Sequence, residues 1–477
     1  MTKTDSRPLC IDCDGTLIST DLLHEAFFLM IKQFPKGLLL LPFWLLRGKA
    51  YLKERLAQHV KFNWVTLPYR EDVLALIKVA KAQGRHIVLA TASPAAWANG
   101  IADHLGVFDE VVATENGKNL SGKHKAQILV DAFGEKKFDY AGDSKVDLHV
   151  WKVSKEAIVI AKSKRLVNLA KQTHGVSTST IHAAKANIFT YLRALRVHQW
   201  LKNLLIFVPL FAAHQAGNLQ SLLQAAYAFI AFSACASSVY ILNDLLDLES
   251  DRQHIRKRKR PFASSLIPLL HGALMIPLLL IIAFSISRLL PAAFILVLGL
   301  YFAATLAYSV RLKRQVIVDV MLLAGLYTTR VIAGAAATTI TPSFWLLAFS
   351  MFIFLSLALI KRYSELLITL AQNKEEAAGR GYSVLDLPVL MSIGVSASMG
   401  AVMVFALYLN LPETNGMYPE KEWLWMMPPL LLYWLSRIWM KAHRGQVDDD
   451  PIIFAVKDWQ SLVIMVVMAG LFWAALG

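Results

Sequence analysis

The feature that most constrains this chain is a series of long apolar runs that begins near residue 187. A transmembrane helix needs about 20 mainly apolar residues. Nine runs approach that length, at residues 201–218, 220–242, 267–287, 290–309, 316–338, 343–360, 388–409, 423–440 and 460–476. The chain is 56% hydrophobic and only 17% charged, which is outside the usual composition of soluble proteins. We therefore predict an all-α polytopic membrane bundle of about nine transmembrane helices over residues 188–477.

Lysine and arginine collect in alternate loops of this region, after the second, fourth, sixth and eighth runs. Cytoplasmic loops are the ones that carry such an excess. The pattern predicts a multi-pass protein of the inner (cytoplasmic) membrane, with its N-terminal domain and its active sites on the cytoplasmic side. The formal net charge is +15, but the cations are scattered between apolar runs, so we expect no nucleic-acid partner. The polar first residues predict no signal peptide.

An acidic stripe follows the second apolar run. It consists of Asn243, Asp244, Asp247 and Asp251, which are three and four residues apart and would share one face of a helix. So many carboxylates at a membrane boundary repel one another unless a cation neutralises them. Their hard oxygen ligands suit Mg²⁺, which commonly brings phosphate oxygens. We predict a Mg²⁺-diphosphate site, with a solvated acidic helix end as the alternative. The basic residues that follow would bind the anion: Arg252, Lys257 and Arg260.

The first 187 residues alternate short apolar strands with helical patterns. Strands are predicted at 8–12, 85–90 and 137–141, and a helical insert, the cap, at about 20–80. This alternation predicts an α/β Rossmann-like domain over residues 1–187. The apolar run 37–46 is too short for a confident span. It is either a buried helix or an interfacial helix, and its flanking cations favour the second.

Polar residues follow the predicted strands, where ligands bind in open α/β sheets. Asp12 and Asp14 could supply a nucleophile and a general acid/base, and Thr91 could donate a hydrogen bond to a phosphate. Lys125 could offset phosphoryl charge, and later carboxylates could bind Mg²⁺. The metal-binding candidates are Asp12, Asp14, Asp143 and Asp147. Cys10 and Cys13 flank Asp12, but this spacing alone does not favour a redox or metal role.

These motifs resemble the haloacid-dehalogenase phosphatase superfamily over about residues 5–180. The resemblance implies that Asp12 forms an aspartyl-phosphate and Asp14 protonates the leaving group. It implies that Thr91 and Lys125 bind the phosphoryl group, with Ser93 and Lys123 as substitutes. The aspartates after the third predicted strand would hold Mg²⁺, and the cap would select the substrate. An inactive scaffold domain is the alternative.

The acidic stripe and the upstream segment 199–203, which contains Lys202, resemble the UbiA-type intramembrane prenyltransferase superfamily over about residues 190–477. That family binds a Mg²⁺-diphosphate with two aspartate-rich motifs. Here the second motif departs from the pattern, since it offers Tyr308, Lys313 and a single carboxylate, Asp319, followed by Arg330.

That departure resembles the decaprenyl-phosphate phosphoribosyltransferase branch, as do segments 357–365, 380–382 and 449–451. The branch implies phosphoribosyl diphosphate as donor, a polyprenyl phosphate as acceptor and Mg²⁺ at both sites. The cations that would hold the phosphates are Lys313, Arg330, Lys361 and Arg362. The fused phosphatase would then remove the 5-phosphate from the lipid-linked ribose.

Two alternatives stay open. One is a prenyltransferase that acts on an aromatic acceptor, with an associated phosphatase. The other is an anchored phosphatase with an inert or transporting bundle. The sequence is compatible with a homo-oligomer, and it fixes neither the prenyl chain length nor the downstream glycan.

Overall fold

The computed structural model describes residues 7–115, 120–161, 163–174, 178–373, 375–376, 380–411, 418–447 and 450–476. The chain divides into two compact units. The first comprises Met1–Leu195 with Tyr240–Ile276, and the second comprises Arg196–Val239 with Pro277–Gly477. The predicted domain boundary at 187/188 stays a prediction, because the first unit also takes in a later stretch of the chain.

The first unit contains a six-stranded parallel sheet. Its strands are β1 Leu9–Ile11, β2 Ile87–Pro94, β3 Glu110–Thr114, β4 Asp139–Gly142, β5 Glu156–Ala161 and β6 Thr178–His182. The order is β3-β2-β1-β4-β5-β6, so β1 lies in the interior of the sheet. Leu9 and Ile11 pack in one apolar core and Cys10 in the other, as the two-residue period of a strand requires. The strand order reverses at β1, which creates a crevice at the carboxyl ends of the strands.

Helices cover this sheet and form the insert after β1. They are α1 Leu22–Gln33, α2 Gly37–Leu46, α3 Lys49–His59, α4 Glu71–Ala82, α5 Ala95–Leu105, α6 Lys123–Phe133, α7 Leu148–Val153, α8 Lys164–His174 and α9 Ile188–Ala194. Asp21 caps α1, because its carboxylate accepts a 2.8 Å hydrogen bond from the Leu23 N–H. The helical insert predicted from the sequence is therefore present as α1 to α3.

The remaining helices are mostly long and apolar. They are α10 Val208–Ala212, α11 Leu219–Leu246, α12 Leu248–Gln253, α13 Leu269–Ser287, α14 Ala292–Val310, α15 Val318–Thr338, α16 Phe344–Ala371, α17 Leu387–Leu409, α18 Met427–His443, α19 Pro451–Lys457 and α20 Trp459–Ala474. Within the described residues, six are long and apolar enough to cross a membrane, namely α11 and α13 to α17. A seventh span results if α19 and α20, bent by 82°, count as one.

The predicted count of nine spans is therefore not confirmed. Run 201–218 forms a 3₁₀ segment, Val197–Phe207, and then the five-residue α10. Run 423–440 starts in a second 3₁₀ segment, and α18 has 17 residues with proline in its first turn. Run 460–476 lies in α20, which begins anew because the Asp458 side chain accepts a hydrogen bond from Ser461 N–H. The apolar composition predicted which residues are apolar enough for a membrane. The number of spanning helices is lower than predicted because some of these runs are broken into shorter helices.

The first 3₁₀ segment packs closely on α15. A Cβ atom at Gly334 would lie 1.9 Å from the Ile206 carbonyl oxygen, so only glycine permits this approach. The contact places the buried side chains of Lys202 and Asn203 within the polar interior of the second unit.

Candidate active sites

Three carboxylates meet at the carboxyl edge of the sheet. Asp12 follows β1, and Asp143 and Asp147 follow β4; one oxygen atom from each carboxylate lies within 4.8 Å of the other two. Burial raises the pKa of Asp12 to about 7, although Lys125 opposes this shift. A divalent cation would relieve that desolvation and repulsion, and the hard oxygen donors suit Mg²⁺. The residues present therefore fit a Mg²⁺ ion.

Gly15 allows the Asp143 carboxylate to approach the loop after β1. Its φ is +77°, which disfavours residues with a side chain. An added Cβ would lie only 2.1 Å from an Asp143 carboxylate oxygen. The glycine that ends the Asp12–Gly15 motif therefore serves both the turn and the metal site.

Lys125 connects two of these carboxylates through Tyr140. Its ammonium donates to Asp12 Oδ1 at 2.7 Å and to the Tyr140 hydroxyl at 2.9 Å. Tyr140 in turn donates to Asp147 Oδ1 at 3.0 Å. Burial alone lowers the pKa of Lys125, but Asp12 and Asp147 raise it above its usual value, so the cation persists at neutral pH.

Asp14 faces a different set of partners. Its Oδ1 accepts from Leu22 N–H and its Oδ2 from the Ser93 hydroxyl, both at 2.8 Å. Among the described residues it is not part of the three-carboxylate group. Burial raises the pKa of Asp14, which suits a proton donor. Thr91 is fully buried, and its hydroxyl accepts from Ser93 N–H at 3.0 Å.

The insert adds a cation that the sequence reasoning missed. Lys53 in α3 is 6% exposed, and its ammonium donates to the Ala92 carbonyl at 2.9 Å, directly after Thr91. It also lowers the pKa of Asp14, against the larger effect of burial. A single lysine in a helical pattern gives no signal of such a position, because only the tertiary fold brings α3 over β2.

The acidic stripe spans a helix break. α11 ends at Leu246 and α12 begins at Leu248, yet Asp247 N–H still bonds the Asn243 carbonyl and Asp251 N–H the Asp247 carbonyl. The predicted spacing of three and four residues therefore keeps its helical character.

The stripe carboxylates contact cations of the protein. Arg260 Nη1 lies 3.1 Å from Asp244 Oδ1 and 2.7 Å from Asp251 Oδ2, and both aspartates are buried. Lys32 Nζ lies 3.5 Å from Asp247 Oδ1. In the described part of the chain, the stripe does not form a three-carboxylate group like that at Asp12. The stripe residues as Mg²⁺ ligands stay a prediction.

Arg252 makes a bidentate ion pair with Glu25 of α1. Its Nη2 lies 2.5 Å from Oε1 and its Nη1 3.2 Å from Oε2, while its Nε donates to the Ala263 carbonyl at 3.1 Å. The Glu25 side chain is 2% exposed. This guanidinium is committed to a protein partner that the sequence did not indicate. Lys257 is exposed.

In the second unit, one buried carboxylate is surrounded by donors. Asp319 Oδ2 lies 2.7 Å from Arg362 Nη2, and Asp319 Oδ1 accepts from the Tyr382 hydroxyl. Both Asp319 and Arg362 are fully buried. Arg380 Nη1 lies 4.0 Å from Asp319 and donates to the Tyr308 hydroxyl at 2.8 Å. The structure thus brings together Tyr308, Asp319 and Arg362 of the predicted set.

Arg330 and Lys202 lie in buried polar contacts of the same unit. Arg330 Nε donates to Asn203 Oδ1 at 2.8 Å, and its Nη2 donates to the Tyr301 hydroxyl at 3.3 Å. Lys202 pairs with Asp450 and lies 5.6 Å from the ring centre of Tyr327. Lys313 and Lys361 are half-buried. Position 449 of the predicted 449–451 motif lies outside the described residues.

Residues 204–462 match the UbiA prenyltransferase family, and residues 9–152 match the haloacid dehalogenase-like hydrolases. The chain belongs to the UbiA prenyltransferase family. Its N-terminal part is a haloacid dehalogenase-like hydrolase domain, and the chain is an enzyme and an integral membrane protein. Both predicted resemblances are confirmed at this level.

Three proteins with known sequences are similar to this member of the UbiA family. The uncharacterized protein y4nM of Sinorhizobium fredii (strain NBRC 101917 / NGR234) is 37% identical over 98% of this chain and 90% of its own length. The nodulation protein NoeC of Azorhizobium caulinodans is 36% identical over 60% of this chain and 93% of its own length. The decaprenyl-phosphate phosphoribosyltransferase of Mycolicibacterium smegmatis is 36% identical over 37% of this chain and 56% of its own length.

Two contacts of this UbiA-family chain had no sequence signal. Glu25 lies far from Arg252 along the chain. Tyr301 lies in an apolar helix, where the sequence alone indicates a packing residue and no contact with Arg330. Both become visible only when the fold brings distant segments together.

Proposed function

We propose that the chain transfers 5-phosphoribose from phosphoribosyl diphosphate to polyprenyl phosphate, and that its N-terminal domain then removes the 5-phosphate. The observation that carries the proposal is the polar site around Asp319. This buried carboxylate is paired with Arg362, which also pairs with Glu365, and Arg380 and Tyr382 lie beside it. The two guanidinium groups of this site could bind anionic phosphate groups.

The similarity to the Mycolicibacterium smegmatis enzyme supports this choice of donor and acceptor. It extends over 179 residues, which is 56% of that protein. The whole reaction is therefore a proposal for this chain.

In the proposed transfer, the acidic stripe holds the diphosphate of the sugar donor. Bound Mg²⁺ would neutralise the leaving diphosphate. Arg260 would exchange its contacts with Asp244 and Asp251 for the donor diphosphate. An oxygen of the lipid phosphate attacks the anomeric carbon, and the bond from that carbon to the diphosphate breaks. Arg330, Lys361, Arg362 and Lys313 supply positive charge for the lipid phosphate and the ribose 5-phosphate.

In the proposed hydrolysis, Asp12 attacks the phosphorus of the 5-phosphate and forms an aspartyl-phosphate. Asp14 gives its proton to the departing ribose 5-oxygen, for which its raised pKa is suited. Asp14 then takes a proton from the water that hydrolyses the aspartyl-phosphate. Lys125 balances the developing phosphoryl charge, and Mg²⁺ bound at the carboxylates would supply further positive charge. We place both sites on the cytoplasmic side of the inner membrane, in agreement with the loop charges.

The test uses purified full-length protein, polyprenyl phosphate and phosphoribosyl diphosphate labelled in the ribose. We expect labelled polyprenyl-phosphoryl ribose and one equivalent of inorganic phosphate. Failure to form any labelled lipid would contradict the transferase proposal. Labelled lipid without phosphate release would contradict only the role of the N-terminal domain.

A second candidate is transfer of a prenyl group from prenyl diphosphate to an aromatic acceptor. The family match and the intact stripe support it. The two candidates differ in which molecule loses diphosphate. Release of diphosphate from a prenyl diphosphate, with none from phosphoribosyl diphosphate, would favour the prenyltransferase.

A further inference from the structure

Helix α2 of the N-terminal domain presents an apolar surface to its surroundings. Its sequence, Gly37–Leu46, contains no polar side chain, and within the helix only Gly37 and Trp44 are buried. The exposed large side chains are Leu38, Leu39, Leu40, Phe43, Leu45 and Leu46. Leu39 is 78% exposed and Leu46 is 86% exposed. Contiguous patches of this kind mark interaction sites on proteins.

Cations border the patch. Lys36 precedes α2, and Arg47 and Lys49 follow it. Arg47 Nη1 and Arg55 Nε donate to the Tyr51 hydroxyl at 3.0 and 2.9 Å, with their guanidinium carbons 5.2 and 5.0 Å from the ring centre. Two guanidinium groups held by one tyrosine are suited to a phosphate oxygen.

A groove joins the apolar and cationic parts. It has a volume of about 400 Å³ and is lined by Phe43, Trp44, Leu46, Arg47 and Tyr51. Its wall therefore offers apolar contacts at one side and hydrogen-bond donors at the other. These groups are complementary to the first acyl carbons and the phosphate of a lipid.

We propose that α2 docks the phosphatase insert on the membrane, with its leucine and phenylalanine side chains at the headgroup–acyl boundary and with Arg47 and Arg55 on a lipid phosphate. The helix has 10 residues and spans roughly 15 Å, too short to cross a hydrocarbon core of about 30 Å. It therefore lies in the interface, where apolar side chains penetrate about 5–10 Å.

The occupant is a bilayer because the described part of the same chain supplies six helices that can span one. A membrane is thus always tethered to this domain, which raises its effective concentration at α2. A short helix that would bind membranes weakly by itself then suffices. The docking does not depend on which phosphate ester the domain hydrolyses.

The test places an environment-sensitive fluorophore on single introduced cysteines, Leu39→Cys and Leu46→Cys, in full-length protein in lipid nanodiscs. The native cysteines Cys10, Cys13 and Cys235 are buried, so the introduced thiols are the accessible ones within the described residues. The matched control is Val79→Cys on α4, which is 57% exposed. We expect a shift to shorter emission wavelength and strong quenching by brominated lipids at positions 39 and 46, with neither at position 79.

Equal quenching at all three positions would overturn the proposal. A short-wavelength emission at positions 39 and 46 without quenching by brominated lipids would also overturn it, and would assign the patch to a protein surface such as a second copy of the chain.

The headgroup contact is tested by changing the lipid. Quenching at position 46 should increase when anionic phosphatidylglycerol is added to phosphatidylcholine nanodiscs, and high salt should reduce this increase. The Arg47→Gln/Arg55→Gln variant should lose the increase in quenching caused by anionic lipid. The variant Lys78→Gln/Lys155→Gln, which changes two exposed lysines, should keep this increase. An unchanged dependence on anionic lipid in the arginine variant would overturn the assignment of these two residues.

Discussion

Two acidic sites of the first unit differ in how far they are assembled. At the sheet edge, one carboxylate oxygen each of Asp12, Asp143 and Asp147 already lies within 4.8 Å of the other two. In the stripe, Asp244 and Asp251 are instead bridged by Arg260. At the sheet edge Lys125 pairs with Asp12 and the three carboxylates still lie close together, whereas in the stripe one arginine bridges two carboxylates. For the proposed ligands, the first site is already assembled, whereas the second would have to exchange partners.

Replacing the nucleophile should separate the two sites most sharply. We expect Asp12→Asn to lower phosphate release by about 10⁴-fold, since the attacking group is removed, while transfer to lipid continues. Phosphate assay and chromatography of labelled lipid would show accumulation of the phosphorylated intermediate. Glu71→Gln, an exposed change on α4, is the control. Normal phosphate release by Asp12→Asn would refute the assignment of the nucleophile.

A change in the stripe should have the reverse selectivity. We expect Asp244→Asn to lower kcat/KM of transfer by about 10²–10³-fold, because a buried charge that binds the Mg²⁺-diphosphate is lost. Hydrolysis of a soluble phosphomonoester should be unchanged. Glu249→Gln alters a carboxylate in the same segment that is not part of the motif. Equal losses of transfer in both variants would argue for a general structural effect.

Arg260 tests the exchange of partners directly. Without it, Asp244 and Asp251 lose the cation that bridges them, so Arg260→Gln should need about two- to fivefold less Mg²⁺ for half-maximal transfer. The KM for the sugar donor should rise, because the arginine is proposed to move to the diphosphate. Kinetic titrations with Mg²⁺ and donor measure both, with the exposed Lys259→Gln as control. An increased Mg²⁺ requirement would contradict the exchange.

The smallest expected effect concerns pH and metal removal. Since the folded pKa of Asp12 is raised from 3.8 to about 7, the metal-free domain binds more protons than the unfolded chain, and its stability should fall as pH rises through this range. For a domain of this size we expect Tm to fall by roughly 2–4 °C per kcal/mol lost. Scanning calorimetry with a chelator should show that Tm falls as pH rises. Added Mg²⁺ or the Asp12→Asn substitution should make this fall smaller. A Tm that rises with pH in the chelator would contradict the shift.

The sequence was most informative where chemistry is local in the chain. Asp12 to Gly15 and Asn243 to Asp251 are short motifs, so their positions after a strand and at a helix end could be predicted from spacing. The number of spans could not, because Pro209 and the 3₁₀ segments shorten helices without changing the apolar composition. Lys53, Tyr140 and Glu25 were missed, since each acts through a partner that is distant in the chain. Local patterns indicate the reacting groups, and tertiary contacts supply the groups that position them.

The Glu25–Arg252 pair has a consequence for the modularity of this fusion. A chain cut at residue 187 would lose Glu25 and leave Arg252 and its neighbours without the partner that buries them. Loss of one member of a buried ion pair costs about 3–5 kcal/mol. The compact unit that contains the phosphatase also contains Tyr240–Ile276, so the border between the two enzymes in the sequence is not a border in folding. Exchange of the N-terminal half by recombination would require a compensating change at Arg252.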